Sequence, residues 1–115
     1  MESFKGTIRV YENHFWDFYN VQPKKVKDKL DWTIGLIQTL KFVPKIYFHH
    51  IVGTDGLWEI RAQIGSNIFR VFCCFDEGFL VILLGGFQKK TQKTPPQEIE
   101  KAERLKKEYF DGKIK

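Results

Sequence analysis

Cysteine is nearly absent from this 115-residue sequence, and the two that occur, Cys73 and Cys74, are neighbours. In the strand-like segment that holds them, adjacent side chains point to opposite faces, so the two do not bridge to each other. A pair at this spacing does not hold zinc either. Both are expected to be buried, reduced thiols. Long apolar runs are missing too: none approaches the ~20 residues that cross a bilayer. The opening "MESFKGTIRVYENHF" carries no basic stretch followed by an apolar one. The expectation is a cytoplasmic protein with no membrane partner. Internal repeats and low-complexity segments are lacking, as are a glycine-rich phosphate loop, His-Glu-x-x-His and Gly-x-Ser-x-Gly. These absences remove the common catalytic signatures.

What is abundant is aromatic and basic. With 43% hydrophobic and 16% aromatic residues, the composition is that of a globular fold rather than a disordered chain. A length of 115 residues fits one domain, residues 1–115, able to bury a core without staples. Lysine and arginine exceed aspartate and glutamate by 19 to 14, and the isoelectric point near 9.2 points to an anionic partner, nucleic acid being the commonest.

The chain order reads as strand, two helices, three strands, helix. "FKGTIRVY" (Phe4 to Tyr11) alternates, with Phe4, Ile8 and Val10 opposite Lys5, Thr7 and Arg9. "ENHFWDFYN" is a short aromatic helix containing His14 as a structural residue. From Lys24 to Leu40, the positions Val26, Leu30, Ile34, Ile37 and Leu40 recur at helical spacing. The lysines of its first turns, Lys24, Lys25, Lys27 and Lys29, oppose the helix dipole, so they are either a binding surface for RNA or the ribosome or a solvated face. "KFVPKIYFHHIVGTDG" reads as a connector, with Pro44 as a breaker and a turn at its end. Leu57–Ile64 alternates, Trp58, Ile60, Ala62 and Ile64 on one face and Glu59, Arg61 and Gln63 on the other. "GSN" turns the chain into Ile68–Phe75, and "DEG" into Phe79–Phe87, which is apolar on both faces like a central strand. Thr94, Pro95 and Gln97 form a helix-start signal with Thr94 as the cap, for a last helix over about Pro95–Tyr109 with Ile99, Ala102, Leu105 and Tyr109 as its stripe. Residues 110–115 are expected to fray. The fold class is α+β: a small twisted antiparallel sheet, one N-terminal strand plus a three-strand meander, with helices covering one face.

The chemistry lies in cations that strands bring together. Arg70 is the one charge in "IFRVFCCF"; it either pairs with a carboxylate such as Glu59 or faces a groove that takes an anion. Arg61 on the neighbouring strand forms a phosphate clamp with it if the register puts both on one face. Lys89, Lys90 and Lys93, in "FQKKTQKT", lie between a buried strand and a helix start that itself attracts anions.

"GLWEIR", "FRVF" and "GFQKKTQKTP", in this order and spacing between Gly53 and Tyr109, resemble the phage-derived Gp49-like branch of the RelE/ParE toxin superfamily, whose members include HigB toxins of type II toxin–antitoxin systems. The resemblance implies a small antiparallel sheet packed by helices, metal-free and ribosome-dependent cleavage of mRNA, and a neighbouring antitoxin, often with a helix-turn-helix domain. It carries the catalytic cation set over to Arg61, Arg70, Lys89, Lys90 and Lys93, and no cofactor is implied. Cleavage by the RNA's own 2′-hydroxyl needs a base, an acid and stabilisation of a dianionic transition state. The arginines suit the last role. Lysines with lowered pKa values, or else His49 and His50, suit the proton transfers. Two other classes stay open: a gyrase-directed protein-binding toxin of the same superfamily, and a non-catalytic phage-derived binding protein.

Overall fold

The computed structural model describes residues 7–78, 80–89 and 94–113. Phe4, Lys5, Phe79, Lys90 and Lys93 lie outside the described residues. Among the described residues the order is β1 (Thr7–Val10), α1 (His14–Asn20), α2 (Lys24–Thr39), β2 (Phe48–His50), β3 (Trp58–Ile64), β4 (Asn67–Asp76), β5 (Leu80–Lys89) and α3 (Pro96–Lys113).

The expected meander is present: β3 pairs antiparallel with β4, and β4 with β5. Three corrections follow from the strands around it. The segment read as a connector contains β2, which pairs antiparallel with β3, so the sheet has five strands in the order β1-β5-β4-β3-β2. Three residues are too few for alternation to signal a strand; β2 is a strand because the edge of β3 offers it partners. The sheet is also mixed rather than antiparallel, because β1 runs parallel to β5 with Ile8 opposite Val81. Finally, helices cover both faces. β4 and β5 are buried along almost their whole length, and a strand apolar on both sides needs a cover on both.

On one face, Phe15 of α1 and Val26, Leu30 and Ile37 of α2 pack on Ile60, Ala62, Val71, Cys73, Val81 and Leu83. Each fully buried leucine or isoleucine here contributes about 1.5–3 kcal/mol of transfer free energy. Thr33, the one buried polar residue on α2, donates its hydroxyl to the Lys29 carbonyl at 2.7 Å. On the other face, Ala102, Leu105 and Tyr109 of α3 pack on Leu57, Phe72, Cys74, Ile82 and Leu84. The two thiols thus enter separate cores, free and buried as expected. Burial pushes both thiols up, Cys73 well above the usual range and Cys74 to about 11, so neither is a ready nucleophile.

α3 continues past Tyr109 to Lys113, where fraying was expected. Its end is held by Asp76, which accepts hydrogen bonds from Tyr109 Oη and Lys113 Nζ, both at 2.6 Å. The lysine bond, then the tyrosine bond, draw the Asp76 carboxyl below its usual value. At the other end the helix begins one residue late, at Pro96, with Pro95 supplying the first helical acceptor to Glu98 N at 3.0 Å. Thr94 is therefore outside the cap position, and its hydroxyl is turned to the sheet.

The two glycines that end the apolar run of β5 allow α1 to approach. A Cβ on Gly86 would lie 2.6 Å from Phe18 Cδ2 and 3.0 Å from the Arg70 carbonyl oxygen, whereas one on Gly85 would make only an ordinary contact, 3.5 Å from His14 Cβ. Gly86→Ala is therefore expected to lower stability by about 1–3 kcal/mol through overpacking, and Gly85→Ala by clearly less. Urea unfolding of the two variants, side by side, checks the order.

Candidate active site

Strand register builds the site. Glu59, Phe72 and Gly85 form one row across β3, β4 and β5; Arg61, Arg70 and Phe87 form the next; Gln63, Ile68 and Lys89 the third. Arg61 and Arg70 are direct cross-strand partners, so the two arginines share a face. α3 covers the half of this face nearer Asp76. The other half opens as a cleft of about 370 Å³, to which Glu59, Arg61, Arg70, Lys89, His49 and Thr94 contribute.

Like charges directly opposite on a sheet repel, and here a third cation stands beside them. Glu59 offsets this. Its side chain is 1% exposed and its Oε1 accepts from Arg70 Nη1 and lies 3.0 Å from His49 Nε2, while Oε2 accepts from Thr94 Oγ1 at 3.2 Å. Burial alone would raise the Glu59 carboxyl. The His49 hydrogen bond, then the charge and hydrogen bond of Arg70, outweigh it and hold the group below its usual value. His49 is placed by the β2 pairing, opposite Glu59, and its Nδ1 lies 3.1 Å from the Lys45 carbonyl oxygen.

Lys89 is the last residue of β5 rather than part of a loop, and it is buried. Burial first, then the charges of Arg70 and Arg61, draw its ammonium below the usual lysine value, with Glu59 opposing. The Nε atoms of Arg61 and Arg70 are buried and without a hydrogen-bond partner among the described residues. Three cations, Arg61, Arg70 and Lys89, thus share the cleft with one carboxylate, Glu59.

The structure therefore brings together Arg61, Arg70, Lys89 and His49. Lys90 and Lys93 lie outside the described residues. His50 alternates to the other side of β2, its ring edge-on to Trp58, and reaches only the rim of the cleft, with Nε2 3.0 Å from the Thr54 carbonyl oxygen. Lys24, Lys25 and Lys27 belong to α2, which packs on the opposite face; Lys24 pairs with Asp28 at 2.8 Å and Lys27 lies over the Tyr19 ring. Glu59 and Thr94 were not among the site residues expected from sequence, one having been set on a polar strand face and the other in a helix cap. Glu59 had been named from sequence as the carboxylate with which Arg70 would pair, and it is that partner.

The profile of the family described as "Phage derived protein Gp49-like (DUF891)" matches residues 17–107, a span that takes in α2, the whole meander, the cleft and most of α3. The chain belongs to this family. Gp49-like proteins are part of the RelE/ParE-like toxin group, and the mixed α+β sheet with three helices is compatible with a small fold of that kind. No curated protein matches the chain. Among the described residues, no helix of this Gp49-like protein is long and apolar enough to cross a membrane.

Because the folded-state pKa of Glu59 lies below its unfolded value, ionised Glu59 stabilises the fold above the unfolded pKa of about 4.3. That contribution is lost as pH falls through the folded value. Glu59→Gln is expected to cost roughly 3–5 kcal/mol at neutral pH, since it leaves buried Arg70 without its counter-charge, and to flatten the acid limb of the stability curve. Urea midpoints measured between pH 3 and pH 7 on both proteins test this. An unchanged acid limb in the variant would assign the acid sensitivity elsewhere.

Proposed function

We propose that this Gp49-like protein is the toxin of a type II toxin–antitoxin pair, of the HigB type, and that it cleaves mRNA on the ribosome. The observation that carries the proposal is the direct pairing of Arg61 with Arg70 beside buried Lys89 in an open cleft. Membership of a toxin-like family supports it independently.

In this reaction the 2′-oxygen of a ribose forms a bond to the adjacent phosphorus and the bond from phosphorus to the 5′-oxygen breaks, leaving a 2′,3′-cyclic phosphate and a 5′-hydroxyl. One proton leaves the 2′-hydroxyl and one arrives at the departing oxygen; no water and no metal ion is consumed. Arg61 and Arg70, which both line the cleft, hold the phosphorane oxygens through their guanidinium groups. Lys89 and His49 carry the protons: a lysine whose pKa is drawn down is both a better acid and a more available base, and His49, with Nε2 on Glu59, reaches the substrate through Nδ1 once that atom leaves the Lys45 carbonyl. Glu59 acts through Arg70 and His49 and is a positioning residue. The ribosome orients the substrate, and Lys90 and Lys93, which follow β5 in the chain, contact phosphates and bring a salt-dependent affinity. The partner is an antitoxin encoded nearby, with a helix-turn-helix domain.

Expressing the chain with and without its neighbouring gene, and mapping new mRNA ends, tests the reading. Codon-periodic cuts within translated frames are expected; growth arrest over intact mRNA would sink it.

The two arginines are expected to part company on mutation. Arg61→Ala should melt near the parent, because its guanidinium bonds only Gln63 among the described residues, yet lose cleavage by about a hundred- to thousand-fold. Arg70→Ala should lose both cleavage and several kcal/mol of stability, roughly 3–5. Thermal melting beside growth rescue separates the two effects. A His49→Gln protein should keep its fold and cut less well than the parent, read by the same two measurements.

A further inference from the structure

β2 ends at Phe48 on the side towards the Arg61 row, and beyond that point, among the described residues, the outer edge of β3 takes one backbone bond, from Arg61 N to the Tyr47 carbonyl oxygen at 2.8 Å. A second cleft, of about 400 Å³, lies at this edge, lined by Lys29, Ile46, Tyr47, Arg61 and Gln63. Arg61 is the wall it shares with the cleft described above.

Its parts are an uncommon set for a plain surface. Tyr47 meets Trp32 nearly perpendicular, with ring centroids 5.4 Å apart, and Lys29 Nζ lies 4.5 Å from the Trp32 ring. Ile46 is 62% exposed and Trp32 49%, so apolar surface is left facing water next to a cation. Gln63 accepts from Arg61 Nη2 and donates to the Gly65 carbonyl, both at 3.0 Å. Those two bonds use one lone pair and one N–H of the amide and leave one of each for another molecule.

We propose that this second cleft receives the base of the nucleotide next to the cleaved phosphate, stacked against Tyr47 and Ile46, with the Gln63 amide at its edge and Lys29 towards the following phosphate. In a nucleotide only a sugar separates the phosphate from its base, and the two clefts adjoin through Arg61 as common wall. An aromatic surface with an adjoining cation is the means by which single-stranded RNA is gripped whatever its base, and a side-chain amide adds a preference among bases. The inference rests on the RNA-cleaving reading above.

The test maps mRNA ends after expression of the parent chain, Tyr47→Leu, Tyr47→Phe and Gln63→Ala, with melting temperatures measured on the same proteins. Tyr47→Leu is expected to cut roughly ten-fold less well at an unchanged melting temperature, and Tyr47→Phe, which keeps the ring, to restore most of the cutting. Gln63→Ala should still cut, with a flattened base profile at one nucleotide beside the cut. If the parent leaves mRNA intact, the cleavage reading fails and the base cleft with it. If the parent cuts and Tyr47→Leu and Gln63→Ala cut equally well with the same base profile, the base cleft alone is overturned. Should Tyr47→Leu fail to fold, exposed Gln63 decides: an unchanged profile overturns the proposal and a flattened one supports it.

Discussion

One buried carboxylate makes the concentration of positive charge on this sheet tenable. Arg61, Arg70 and Lys89 sit on adjoining strands with their side chains on one face, and repulsion among them would work against the register that apolar pairing sets. Glu59 takes Arg70 directly, His49 from the edge strand and Thr94 from the start of the last helix segment. It therefore ties β2, β3, β4 and the approach to α3 to one point. Because it neutralises only part of the charge, the cleft keeps an excess of cations.

The second constraint is the length of α3's cover. Its stripe of Ala102, Leu105 and Tyr109 is short, and it shields the apolar rows around Cys74 and Ile82 while leaving the charged rows open. The helix is fastened at its far end through Lys113 and Tyr109 on Asp76. Fold and site thus divide one sheet face between them: apolar rows where a helix lies, charged rows where it does not.

The amino-acid sequence made the local elements legible wherever periodicity was strong. α1, α2, the meander and the stripe of α3 were all readable, because burial imposes a period of 3.6 or 2 and β5 is apolar throughout. Three things were not. β2 is too short to show a pattern, so His49 looked like a connector residue although β3 fixes it opposite Glu59. The parallel pairing of β1 with β5 depends on how α1 and α2 carry the chain over the sheet, which no local pattern encodes. The meeting of Arg61 with Arg70 hung on a register that the two-residue turn at Gly65 and Ser66 settles, since Ile64 pairs with Asn67. Arg70 itself had two readings, ion-pair partner or anion ligand. It is the partner of Glu59 and also lines the cleft, because a guanidinium has five N–H donors and the carboxylate takes only one of them here.

That turn at Gly65 and Ser66 is a tight one, with Gly65 at φ +58°. Strand side chains alternate with a period of two, so lengthening the loop by one residue, with pairing slipped to match, would swing every β4 side chain to the other sheet face. Arg70 would then point among Leu30, Ile37 and Phe15, and Val71 would face the open cleft. The chain would keep its composition, its charge and each of its motifs, yet hold a cation in oil and a valine in water. In a domain of this kind the distance along the chain from a glycine to an arginine, counted as odd or even, is as much a part of the chemistry as the arginine.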